Sequence, residues 1–139
     1  MNTAVLIAVG DELLSGIRRE GNCASLAWRL HDAGWRLMRM EVIPDERPAI
    51  VDALSRWVGK VDLLVLSGGL GPTHDDKTRV ALTEYLCCGL AANNVLYDRV
   101  LSRYDEATRE RLDRSRSVQA AIPRYACGVY NPAGSALGS

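Results

Sequence analysis

The sequence predicts an α/β fold, a three-layer α/β/α sandwich around a mostly parallel sheet. Three observations predict it. Residues 4–9 and 61–66 are apolar runs with β-branched members, interrupted only at Asp62, as expected of strands buried on both faces. Stretches with apolar residues at i, i+3, i+4 and i+7 alternate with such runs, which is the spacing of one helix face. Strand then helix, three times over, implies right-handed βαβ units.

The elements follow in order. The run 4–9 ends at Gly10, and a polar, glycine-containing loop spans 11–21. Asn22 is placed to cap a helix whose inner positions are Cys23, Leu26, Ala27, Leu30 and Ala33, with Gly34 as its stop. Residues 35–43 read as a second strand, nearer the sheet edge because Arg36, Arg39 and Glu41 punctuate it. Pro44, Asp45 and Glu46 turn the chain, and Pro48 suits the first turn of a helix with the stripe Ile50, Val51, Leu54, Trp57 and Val58. The strand from Val61 precedes a glycine-rich turn, and a helix after Asp76 stops near Gly89. Residues 95–112 predict one longer helix, with Tyr97, Val100, Leu101 and Tyr104 inward and a solvated Arg/Glu face. Tyr125, Cys127 and Val129 alternate as a last strand before the loop 131–139.

At 139 residues the chain reads as one domain, long enough to bury ~two-thirds of its unfolded surface. Its apolar fraction of 47% and charged fraction of 24% are ordinary for a globular protein. Net charge is zero and no dense basic run forms, so nucleic acid is not an expected partner. No run reaches the ~18 apolar residues of a membrane span and no leader precedes the first strand, so a cytoplasmic protein is expected. Cys23, Cys87, Cys88 and Cys127 lack metal-ligand spacing and are expected to be reduced thiols in or near the core.

Two motifs carry chemistry. Residues 67–78 read SGGLGPTHDDKT and join a buried strand to a helix, the junction where open α/β sheets place ligands. Gly68, Gly69 and Gly71 leave backbone N–H groups uncovered by side chains, which suits a phosphate. Asp75 and Asp76 add negative charge at the same mouth, which suits a divalent ion. The stretch is neither a dinucleotide fingerprint, whose third glycine falls on His74, nor a Walker A loop. A plainer reading is a tight turn with a capping box from Thr73 to Asp76, or Asp75 as the cap, yet three glycines exceed what capping requires. The second motif, Gly10 to Gly16, follows the first strand. If the first and third strands are neighbours, its Asp11 and Glu12 face the same mouth, the alternative being that they solvate a loop. Ser15 has no partners for a triad, and His31 reads as a surface residue.

With both motifs in hand, the chain resembles the molybdenum-cofactor-biosynthesis (MoCF, MoaB/Mog-like, molybdopterin-binding) domain. It is most similar to the N-terminal domain of the competence/damage-inducible CinA family. The resemblance covers essentially the whole chain, through Ile7 to Gly16 with Asn22, Ser67 to Thr78, Gln119-Ala120, and Asn131, Pro132 and Gly134. It implies the molybdopterin-binding fold, with ligand-binding positions at Gly10, Asn22, Gly68, Gly69, Gly71, Thr73, Asn131 and Gly134. It further implies Asp76 as the principal catalytic carboxylate with Asp75, metal positions at Asp11, Glu12 and Asp76, and Mg²⁺, Mn²⁺ or Co²⁺ as the ion. Molybdopterin is a possible ligand. The implied activity is metal-dependent pyrophosphohydrolysis of an ADP-ribose-type substrate. The alternatives are a molybdopterin- or nucleotide-binding module without turnover and a molybdopterin adenylyltransferase, with a purely structural oligomerisation domain as a further reading. A phosphorylated nucleotide or pterin is the expected partner, in a homo-oligomer that engages neither nucleic acid nor membrane. The family's late loop runs Gly-Thr-Ala-Pro-Gly where this chain has Gly134-Ser135-Ala136-Leu137-Gly138. The domain is expected to lack the family's last strand and its Leu-Pro-Gly-x-Pro loop. The nicotinamide-mononucleotide amidohydrolase domain of full-length CinA proteins lies outside the resemblance.

Overall fold

The first apolar run forms strand β1, Thr3–Val9, and Ala4 through Val9 are all buried. The computed structural model describes residues 1–70 and 77–139. Their contacts gather into two units, Met1–Gly69 and Leu70–Ser139.

In the first unit, strands β2 (Arg36–Ile43) and β3 (Leu63–Gly68) lie parallel on either side of β1, in the order β2-β1-β3. The three helices are α1 (Asp11–Leu14), α2 (Asn22–Asp32) and α3 (Arg47–Trp57). Helix α2 sets Cys23, Leu26, Ala27 and Leu30 against Ala4, Leu6 and Ala8. Strand alternation sends Val5, Ile7 and Val9 to the opposite face. A right-handed crossover from β2 past β1 to β3 puts α3 there, with Ile50, Ala53 and Leu54 buried. The three predicted layers are therefore those of this unit. Each fully buried Leu or Ile in it, such as Leu6 and Ile7, contributes about 1.5–3 kcal/mol. Gly34 stops α2 as expected: at φ +77 it lets Trp35 N–H reach the Leu30 carbonyl at 2.8 Å. At the amino-terminal sheet edge, Asp62 accepts both the Thr3 N–H and its hydroxyl at 2.7 Å, clasping the starts of β1 and β3. At the far end of α3, Glu41 takes Trp57 Nε1 at 3.2 Å and Arg56 at 3.4 Å, tying the helix to β2.

The second unit contains α4 (Lys77–Tyr85), β4 (Leu90–Ala92), α5 (Asn94–Leu101), α6 (Glu106–Asp113), α7 (Arg116–Gln119) and β5 (Ala121–Pro123). Strands β4 and β5 pair antiparallel. Its core is Tyr97, Val100, Leu101, Ala120, Ile122 and Leu137. The buried guanidinium of Arg79 donates to the carbonyls of Val118 at 2.9 Å and Leu137 at 2.7 Å, joining α4 to α7 and to the closing segment.

Several expectations need correction. The helix expected over 95–112 is two. Asp105, at φ −63 and ψ 165, leaves the helical region, and its carboxylate accepts the Thr108 N–H at 2.8 Å to start α6. The last strand is Ala121–Pro123 rather than the alternation at 125–129. Tyr125 sits at φ +76, which breaks an extended run, and Val129 makes only an isolated bridge with Gly138. The loop 11–21 contains a helical turn, α1, and β3 runs two residues beyond the predicted Leu66 to Gly68. Only Cys23 is buried among the four free thiols; Cys87, in a turn after α4, and Cys127, in the irregular segment after β5, are exposed. Among the described residues no helix is long and apolar enough to cross a membrane.

Candidate functional site

The carboxyl ends of β1 and β3 meet because residue 68 is glycine. Gly68 pairs with Val9 at φ +104, and a Cβ there would lie 2.2 Å from the Val9 carbonyl oxygen. No other residue fits such an approach to backbone. Gly69 follows at φ +65. Beside this junction lies a cleft of about 250 Å³, lined by Val9, Glu12, Leu13, Arg18, Arg19, Glu20, Gly21, Asn22, Ser67 and Gly68. The neighbouring of β1 and β3 brings Glu12 of the first motif and Ser67 and Gly68 of the second to one cleft, whereas Asp11, expected there, does not line it.

Gly10 continues β1 by donating its N–H to the Ile43 carbonyl at 3.1 Å, and its own carbonyl starts α1 by accepting Leu13 N–H at 3.2 Å. The Glu12 carboxylate folds back over Gly10, its Oε2 being 2.8 Å from where a Cβ would stand. Asp11 turns the other way. Its Oδ1 accepts the Asp45 N–H at 3.1 Å and braces the turn between β2 and α3.

Asn22 does not cap α2. It is the helix's first residue, and its Nδ2 reaches across to Ser67 Oγ at 3.4 Å, bridging the two walls of the cleft. The capping group is Glu20, whose Oε1 and Oε2 accept the N–H groups of Cys23 at 2.8 Å and Ala24 at 3.1 Å. Sequence reading passed over Glu20 because a longer carboxylate two residues before the helix is not a usual cap. Its neighbourhood also acts on Cys23. Burial, then the Glu20 charge and hydrogen bond, push that thiol from 9.0 up to about 11. Arg18 and Arg19 bring two positive charges to the cleft, another contribution the motif reading missed.

The remaining sites are distributed elsewhere. Asn131 and Gly134 belong to the second unit, where the Asn131 Oδ1 accepts the N–H groups of Ala133 at 3.0 Å and Gly134 at 2.8 Å. Its Nδ2 donates to the Ala136 carbonyl at 3.0 Å, so this side chain organises its own loop. Arg103 grips the same loop through the carbonyls of Pro132 and Gly134. Gly71, Thr73, Asp75 and Asp76, with His74, lie outside the described residues.

A divalent ion is implied by the resemblance, and the described donors test it. Asp11 and Glu20 already hold backbone amides, which leaves Glu12 as the cleft's uncommitted carboxylate. Among the described residues no group of three or more His, Cys, Asp or Glu is placed to hold a metal. A divalent ion needs more oxygen ligands than this. The described residues therefore do not by themselves fit such an ion.

Comparison with known proteins places the chain in a family. A family model described as a probable molybdopterin binding domain matches residues 5–135. The chain belongs to this family. Within it, a CinA-like protein of Salinibacter ruber is 36% identical over 135 residues, covering 97% of this chain and 32% of that protein. The crystal structure of a CinA protein of unknown function from Thermoplasma acidophilum superposes with a TM-score of 0.78 at 29% identity, over 99% of this chain and 79% of that one. The molybdopterin biosynthesis enzyme MoaB of Thermus thermophilus superposes with a TM-score of 0.56 at 27% identity, over 60% of this chain and 54% of that one. The molybdopterin-binding family thus has here the parallel α/β fold of CinA and MoaB/Mog structures. The chain spans from about a third to about half the length of the curated relatives it matches.

Proposed function

We propose that this CinA-like domain binds a phosphorylated nucleotide or pterin at the carboxyl ends of β1 and β3, and hydrolyses the phosphoanhydride of an ADP-ribose-type substrate there. The observation that supports the reading is the cleft bridged by Asn22 and Ser67 and closed by the Val9–Gly68 approach. Glycine backbone at the end of β3 lets an anion come close, and Arg18 and Arg19 supply countercharge. Gly68, Gly69, Gly71 and Thr73 hold phosphate in this reading, and Asp76, assisted by Asp75 and Glu12, is the carboxylate of the reaction. The test is hydrolysis of ADP-ribose by the purified chain, with Mg²⁺, Mn²⁺ or Co²⁺ and without, wild type against Asp76→Ala. Turnover that needs added metal and is lost in the variant is expected; equal rates in the two proteins overturn it.

One observation favours a second reading, binding without turnover. The carboxylates of Asp11 and Glu20 serve backbone amides, leaving the described cleft short of acidic groups. Calorimetry with ADP-ribose, ATP and molybdopterin separates the two: heat of binding with no product over hours supports the module, and release of pyrophosphate from ATP with the pterin supports an adenylyltransferase instead.

A further inference from the structure

Cys87 and Cys88 are adjacent at the end of α4, and they belong neither to the core of the second unit nor to the cleft of the first. Cys88 N–H donates to the Thr83 carbonyl at 3.0 Å and Cys87 N–H to the Glu84 carbonyl at 3.2 Å. These are the two bonds that close a helix around one left-handed residue. That residue is Cys87, at φ +50. Glycine ordinarily stands there, because a side chain disfavours the conformation. In this chain a thiol occupies the position, and glycine comes two residues later, at Gly89. A backbone outlier of this kind points to a use for the side chain it carries. Cys87 is exposed and Cys88 half-buried, so the turn meets solvent with both.

Two neighbouring thiols can be joined directly or through a third atom. A direct disulfide is strained, since adjacent Cα atoms lie about 3.8 Å apart and disulfides favour roughly 4.4–6.8 Å. A larger atom bonded to both sulfurs relieves that constraint, and thiolates select a soft one. The number of ligands then decides which. Structural zinc takes four. Among the described residues no group of three or more His, Cys, Asp or Glu is placed to hold a metal. Cys127 is the rival third sulfur, because its segment leaves β5 at the end where Arg124 N–H bonds the Gly89 carbonyl at 2.7 Å. It is exposed and completes no such group. A centre with two exchangeable positions therefore matches the pair, and trivalent arsenic carrying one organic group is such a centre.

We propose that Cys87 and Cys88 together form a two-sulfur site for a monosubstituted trivalent arsenical. Both thiols add to the R–As=O group. Two As–S bonds form, the oxygen leaves as water with the two thiol protons, and arsenic stays trivalent, so no oxidant or reductant is needed. The chain itself holds the second sulfur next to the first, which gives the second bond a high effective concentration. The site lies in the second unit and stands independently of the proposed reaction.

Phenylarsine oxide, added to the reduced, full chain, tests it. Intact mass is expected to show one phenylarsenic group per chain, and tryptic digestion is expected to place it on residues 80–99, which contain both thiols. A large excess of a monothiol is expected to leave it bound, whereas a stoichiometric dithiol removes it. Cys88→Ser is expected to weaken retention against the monothiol roughly a hundredfold or more, as the chelate becomes a single bond. Cys87→Gly is expected to do the same while melting at or above the wild-type temperature, because glycine suits φ +50, so its loss of arsenic is not a loss of fold. Cys127→Ser is expected to bind as the wild type does. Wild-type protein stripped by the monothiol, retention undiminished in Cys87→Gly or Cys88→Ser, or arsenic bridging residues 80–99 to residues 125–139 each overturn the proposal.

Discussion

Gly68 has a structural duty that precedes any ligand. Its φ of +104 and the 2.2 Å separation between a would-be Cβ and the Val9 oxygen mean that even alanine forces β1 and β3 apart. Gly68→Ala is expected to lower stability by about 2–4 kcal/mol, from left-handed strain plus the displaced strand pairing, read as a falling denaturation midpoint. Gly34→Ala, at φ +77 with nothing within 4 Å, is expected to lose only about 1 kcal/mol. Cys23 makes a second prediction. Its raised thiol is neutral in the folded protein, so its contribution is fully present below pH 9.0 and is lost as pH rises through about 11. Thiol alkylation followed by peptide mass spectrometry near pH 8 is expected to label exposed Cys87 and Cys127 and to spare Cys23 until the protein unfolds. Rapid labelling of Cys23 in native protein contradicts this.

At the scale of elements, the clasp of Asp62 on Thr3 holds the amino-terminal ends of β1 and β3 together, opposite the cleft. The two hydrogen bonds from Thr3 hold the Asp62 carboxyl below its usual 3.8. A depressed carboxyl stabilises above its unfolded value and stops doing so as pH falls through the folded one. Wild type is therefore expected to melt higher than Asp62→Asn at neutral pH, with the gap narrowing below pH ~4 in acid titrations followed by melting. Asp105→Ala removes the α6 cap and is expected to lower the melting temperature. The elements most legible in the sequence were those whose burial is two-sided or whose stop is a glycine. Residues 4–9 and the Gly34 terminus are examples, since an apolar run and a left-handed turn leave few alternatives. The break at Asp105 was hidden because the apolar spacing of Tyr97, Val100, Leu101 and Tyr104 continues to Leu112 across it. The strand at 121–123 was hidden because three residues are too few to show a period, while the alternation at 125–129 showed one without pairing to match.

For the chain as a whole, family membership was legible because two glycine motifs fall after two parallel strands that lie side by side. That adjacency is a topological fact which the strand–helix order allowed and the sheet order β2-β1-β3 bears out. What could not be read was the division of labour within the motifs. Asp11 and Glu20 look alike in sequence as acidic residues of a polar loop, yet one braces a turn and the other caps a helix, because each answers to an amide brought near by the fold. Asn131 and Gly134 likewise organise their own loop. In the proposed reading, the cleft between Asn22 and Ser67 receives the phosphates of a nucleotide or pterin. Isothermal titration of ADP-ribose into wild type, Asn22→Ala and an Arg18→Ala/Arg19→Ala pair tests it most directly. The account predicts saturable binding by the wild type, weakened roughly tenfold or more in both variants as polar and charged contacts are lost. Equal affinity in all three folded proteins, or no binding to any, contradicts it.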